Sequence, residues 1–139
     1  MRVTSTVEDY LKGLFSLSPG ADAAAVRTTD LAELLGVSAP AATPMLKRLG
    51  EAGLVDYVPY RGARLTARGR DEAMRVVRRH RVLETFMVRV LGFDAGAVHP
   101  EAERLEHAAS DDLIEAMARL LGAPERDPHG APIPARLAA

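Results

Sequence analysis

Residues 29–66, TDLAELLGVSAPAATPMLKRLGEAGLVDYVPYRGARLT, decide the fold of this 139-residue chain. Thr29 and Asp30 offer side-chain oxygens to the free N–H groups of a helix start, and Gly36 suits a helix end, so residues 31–35 are expected to be a short helix. Ser38 is the next N-cap, opening a helix with Met45, Leu46 and Leu49 facing inward and Gly53 ending it. LVDYV (54–58) and ARLT (63–66) then read as two short strands joined through Pro59-Tyr60-Arg61-Gly62. Helix, glycine-containing turn, helix and hairpin, in that order, make a winged helix-turn-helix with Arg61 and Arg64 on the wing.

The second helix of that unit carries an oddity. Pro40 fits its first turn, but Pro44 falls in the interior, where it removes a hydrogen bond. Either the helix starts late, with Thr43 as its cap, or it begins distorted. If it enters the major groove, Ser38, Pro40, Ala41 and Thr43 form the region facing the bases. Lys47, Arg48, Arg61 and Arg64 are then phosphate contacts, which position the protein without specifying sequence.

On the amino-terminal side, residues 4–17 read as a helix whose apolar stripe is Val7, Tyr10, Leu11, Leu14 and Phe15, with Asp9 off the stripe. On the other side, Thr66 can cap a long helix to about residue 91, stopped by Gly92. Its expected buried face is Val77, His80, Glu84, Met87 and Leu91, an apolar stripe interrupted by two ionisable groups. Buried alone, each would cost several kcal/mol, so they are paired or bind a ligand. An i, i+4 ion pair accounts for His80 and Glu84 by themselves, but the same spacing recurs in His99 and Glu103 and favours metal ligation. Pro100 suits the first turn of a further helix carrying Glu103, Glu106 and His107 at i, i+3 and i+4, on one face. Ser110 caps a last helix with Leu113, Met117, Leu120 and Leu121 on one side. From Pro124 the tail, rich in Pro and Gly, is expected to be extended.

Charge is segregated. Residues 1–91 carry 14 Lys+Arg against 10 Asp+Glu, while residues 92–139 carry 4 against 9. The basic part coincides with the helix-turn-helix and the acidic part with the candidate ligands. The absence of cysteine excludes disulfides and thiolate metal sites. No apolar run reaches the roughly 18 residues of a membrane span, and no signal-peptide pattern opens the chain, which predicts a cytoplasmic protein without a membrane partner.

Laid out this way, the chain resembles the diphtheria toxin repressor family of metal-dependent regulators. The resemblance runs from Glu8-Asp9-Tyr10 to about residue 136. It is carried by Arg79-His80-Arg81, Val98-His99-Pro100-Glu101-Ala102, Leu105-Glu106-His107 and Gly130-Ala131-Pro132-Ile133-Pro134. It implies a primary, activating site of Asp9, Glu103, Glu106 and His107, and an ancillary site of His80, Glu84 and His99. Asp9 and Glu103 are similar to manganese-type members, where iron-type members have Met and Cys; hard carboxylates suit Mn²⁺, and Fe²⁺ accepts the same ligands. Lys12 departs from the second carboxylate of manganese-type members, adding a positive charge and no lone pair. Two mononuclear sites per subunit are therefore expected rather than a binuclear cluster. The family's optional SH3-like third domain is expected to be absent.

These readings converge on a mainly α protein: a winged helix-turn-helix DNA-binding domain (1–67) and a helical dimerisation and metal-binding domain (68–139). The expected function is a homodimeric, Mn²⁺- or Fe²⁺-dependent transcriptional regulator, a repressor of metal-transport genes binding palindromic operator DNA. The alternatives are a winged-helix regulator sensing an organic ligand, and a metallohydrolase. An enzyme is not expected, because the sequence offers no sign of a positioned base or a substrate cleft.

Overall fold

Thr4 opens the first helix by accepting a hydrogen bond from the Val7 N–H at 3.3 Å. From there the computed structural model describes residues 1–137, in the order α1 (Ser5–Leu17), α2 (Thr28–Leu35), α3 (Ala39–Glu51), β1 (Val55–Val58), β2 (Gly62–Leu65), α4 (Ala67–Arg89), α5 (His99–Leu105) and α6 (Asp111–Leu120). They form two compact units, Met1–Met74 and Arg75 onward; α4 begins in the first and ends in the second. Among the described residues no helix is long and apolar enough to cross a membrane.

In the first unit the expected α1 stripe is buried throughout, and Leu11, Leu14, Leu31, Leu46, Leu49 and Leu54 fill the core. α2 starts earlier than its sequence suggests, at Thr28, with Arg27 as a cap that makes no side-chain cap bond. The Arg27 guanidinium instead pairs with Asp30 at 3.1 Å, occupying the carboxylate that would have capped the helix. α3 begins at Ala39 with Ser38 as its cap, so the late start at Thr43 is not what forms. Pro44 lies inside the helix and costs the hydrogen bond its missing N–H would make; next to it, the Thr43 hydroxyl donates back to the Ala39 carbonyl at 3.0 Å.

The hairpin pairs Val55 with Leu65 and Val58 with Gly62. Val26 bridges its far edge: the Val26 N–H donates to the Ala63 carbonyl at 2.7 Å, and the Ala63 N–H returns to Val26 at 2.9 Å. Gly62 is required there, since a Cβ would stand 1.9 Å from the Val26 carbonyl oxygen. Gly69, in the first turn of α4, is equally constrained: its Cβ would meet the Leu54 oxygen at 1.8 Å. These helices and the antiparallel wing are the expected winged helix-turn-helix.

In the second unit, Val82, Leu83, Met87, Val98, Ala102, Ile114, Ala118 and Leu121 form the core, with Phe86, Met117 and Ile133 packed against it. Three expectations fail here. Leu91, placed on the buried face of α4, is exposed because the helix ends at Arg89. On α6 the buried stripe is Ile114, Ala118 and Leu121, which leaves Leu113 and Leu120 exposed. The tail is a tight turn rather than extended: Asp127 Oδ1 accepts from the His129 and Ala131 N–H groups at 2.8 and 2.9 Å. Arg126 and Pro132 face each other across it as an isolated bridge. Arg78 and Arg81 of α4 donate to the Pro134 and Pro132 carbonyls and hold the turn down.

Candidate metal centre

His80 is the hub of the second unit's polar core. α4 carries it and Glu84 one turn apart, both buried. His80 Nε2 lies 2.7 Å from Glu84 Oε1 and 3.0 Å from His99 Nδ1, and the two imidazoles meet edge to face with centroids 4.6 Å apart. His99 stands at the start of α5, presented by the backbone that Pro100 pre-sets. These three residues are the expected ancillary set, and the fold brings them together.

The other nitrogen of His80 is also engaged. Nδ1 donates to Glu106 Oε2 at 2.9 Å, and Glu106 is only 1% exposed. Glu106 lies just past the end of α5, and His107 follows with Nε2 3.6 Å from Glu106 Oε1. Glu103 turns the other way, its Oε1 2.5 Å from His99 Nε2. Of the expected primary set, Glu106 and His107 are adjacent and Glu103 stands with His99; Asp9 is an exposed residue of α1 in the first unit.

Sequence reasoning missed Asp127 and His129. The tail turn places His129 Nδ1 3.4 Å from Glu84 Oε2, and Glu84, Asp127 and His129 bring ligand atoms within 4.8 Å of one another. His129 Nε2 is 2.6 Å from the Ala95 carbonyl, so that nitrogen carries a proton, and Nδ1 is the atom that faces Glu84. A signal was present: of 4 histidines, His129 alone had no assignment, and it follows an aspartate by two residues.

Whether these groups suit a cation can be judged from Glu84. Its Oε2 is fully buried without a hydrogen-bond partner, a costly state that a bound cation would relieve. Burial pushes the Glu84 carboxyl up, but the His80 hydrogen bond and the charges of His80, His129 and His99 outweigh it and hold the group below its ordinary value. With Nδ1–H donated to Glu106, a cation that displaced the Nε2 proton would find His80 already oriented, the carboxylate–histidine pattern of metal ligands. Imidazole nitrogen and carboxylate oxygen without thiolate suit a hard or borderline divalent cation.

In the first unit, Pro40, Ala41, Lys47, Arg48, Arg61 and Arg64 are exposed. Ser38 and Thr43 spend their hydroxyls on the α3 backbone.

Residues 2–63 match the family model described as the iron dependent repressor N-terminal DNA binding domain. Residues 66–135 match the iron dependent repressor metal binding and dimerisation domain. The chain belongs to the diphtheria toxin repressor family. Within that family it is 37% identical to an HTH-type transcriptional regulator of Methanocaldococcus jannaschii, over 81% of this chain and 90% of the relative. It is 33% identical to the diphtheria toxin repressor of Corynebacterium glutamicum, over 95% of this chain and 57% of that protein. A solved manganese-dependent transcriptional repressor in complex with manganese superposes with a TM-score of 0.84 at 46% identity, covering 93% of this chain and 58% of the other. The chain therefore spans under two thirds of the Corynebacterium repressor and of the manganese repressor structure, and most of the archaeal regulator.

Proposed function

We propose that this member of the diphtheria toxin repressor family is a homodimeric, metal-activated transcriptional repressor that binds palindromic operator DNA when loaded with Mn²⁺ or Fe²⁺. The observation that carries the reading is the buried Glu84 oxygen that lies among imidazoles without a hydrogen bond, in a chain whose other unit is a winged helix-turn-helix. His80, Glu84 and His99 hold the ancillary ion, with Glu106 orienting His80. Asp9, Glu103, Glu106 and His107 would hold the primary ion, Glu103 being an exposed side chain that now pairs with His99. Bound metal supplies a fixed positive charge that joins these ligands, and the chain's part is to couple that charge to the pose of its DNA-binding helices.

Ser38, Pro40, Ala41 and Thr43 mark the end of α3 that faces the bases. Pro40 and Ala41 offer apolar contact, whereas the two hydroxyls already serve the helix. Lys47, Arg48, Arg61 and Arg64 are exposed cations suited to phosphate. Leu113 and Leu120 on α6, with Leu105 on α5, are exposed apolar side chains that a two-fold partner would cover.

The test is duplex selection from a random library by the full chain in chelator, Mn²⁺ and Fe²⁺. Metal should restore binding by roughly 5–150-fold, the range of ordinary allosteric coupling. Equal affinity with and without metal would remove the switch.

A further inference from the structure

The tip of the wing carries an aromatic ring that the fold does not use. The Arg61 N–H donates to the Val58 carbonyl at 3.0 Å, closing a turn over Pro59 and Tyr60. Pro59 pre-sets the first central position of such a turn. The second calls for positive φ, and Tyr60 fills it at φ 66, where glycine or asparagine is favoured. Among the described residues only Ala123 shares that state without being glycine. The Tyr60 side chain is 108% exposed, so no packing within the chain offsets the strain.

The tip is also held in place. Gly62 presses backbone to backbone on Val26, the Val26 bridge grips Ala63, and the Leu54 N–H bonds the Leu49 carbonyl where α3 turns into β1. A fully exposed ring on a strained, anchored turn therefore stands beside exposed Arg61, on the hairpin that also carries exposed Arg64. The nearest carboxylate across the strands, Asp56, is 3.8 Å from Arg64 rather than at the tip.

We propose that Tyr60 is a DNA contact of the wing, seated in the minor groove beside the major groove that α3 occupies. This rests on the reading of the first unit as a DNA-binding module. The minor groove, about 6 Å wide, admits one ring between its sugar walls, and its negative potential favours the flanking arginine. The ring packs on deoxyribose and the phenol hydroxyl donates to a phosphate oxygen.

The test uses the Mn²⁺-loaded full chain and the duplex that wild type selects from a random library. Tyr60→Ala and Tyr60→Gly should each weaken binding about fivefold or more, as truncating an anchoring aromatic does. The dependence on salt should keep its slope, because tyrosine is neutral, whereas Arg61→Ala should lower that slope by about one. Tyr60→Phe, which keeps the ring, should fall between wild type and Tyr60→Ala. Tyr60→Gly should melt at the same temperature as wild type or higher, because it relieves the positive φ. Weaker binding by a more stable protein is an outcome that loss of fold does not produce. If Tyr60→Gly and Tyr60→Ala bind as tightly as wild type, the wing contact is overturned while the DNA module stands. If wild type selects no duplex in either metal, the module reading falls and this contact with it.

Discussion

Glu106 accepts a 2.9 Å hydrogen bond from His80 Nδ1, and both residues are buried. A member of the expected primary set is therefore bonded directly to a member of the expected ancillary set. Two sites that the sequence presents as separate share a carboxylate–imidazole link, so the state of one bears on the basicity of the other.

That link predicts energetic coupling. In a His107→Ala background, which isolates the site around His80, Glu106→Ala should lower Mn²⁺ affinity about 10–100-fold, the usual effect of removing the partner of a metal-bound histidine. Glu106→Gln, which can still accept from Nδ1, should recover part of it. Isothermal titration measures both, and an unaltered affinity in Glu106→Ala would mean that His80 needs no orienting partner.

If Asp9 and Glu103 are ligands as proposed, metal preference should follow these two carboxylates. Asp9→Met combined with Glu103→Cys should shift activation away from Mn²⁺ towards Fe²⁺, Co²⁺ or Zn²⁺, since thiolate and thioether favour softer ions. Both side chains are exposed, so circular dichroism should report an intact fold. Operator binding across a metal series decides it; a folded double variant that still prefers Mn²⁺ places selectivity elsewhere, with Lys12 next to change.

Acid should loosen the second unit through Glu115. Its carboxylate accepts two bonds from Arg78, at 2.9 and 2.7 Å, and that hydrogen bonding holds it below its ordinary value against the effect of burial. A depressed carboxyl contributes its full stability above the unfolded value of about 4.3 and loses it as pH falls through the lower folded value. Glu115→Gln should cost about 3 kcal/mol at neutral pH, because Arg78 is then left partly buried without its counter-charge. Urea unfolding from pH 7 to 3 should show a shallower acid limb in the variant than in wild type.

Association should depend on the exposed α6 leucines. Leu113→Lys with Leu120→Lys removes apolar area from the face left uncovered and puts charge in its place. Sedimentation should then report a monomer that keeps its helix content. A variant that stays dimeric would move the interface to another face.

Local chemistry made much of this legible without coordinates. The α1 stripe, the Ser38 and Ser110 caps, the two strands of the hairpin and the i, i+4 pairing of His80 with Glu84 depend on residues close in the chain, where the 3.6 and 2.0 periodicities and turn preferences decide the outcome. Ends and faces were less legible. Arg27 took Asp30 away from its capping role, and α6 turned Ile114 rather than Leu113 into the cluster that holds Val82 and Val98. Only the tertiary structure decided the rest. The tail has no periodicity to read, yet its Asp127 turn carries His129 back to Glu84 across 45 residues. His80 chose Glu106 over solvent for the same reason: a buried imidazole takes whichever acceptor the packing of α4 and the end of α5 brings within reach, and spacing along the chain carries no record of that distance.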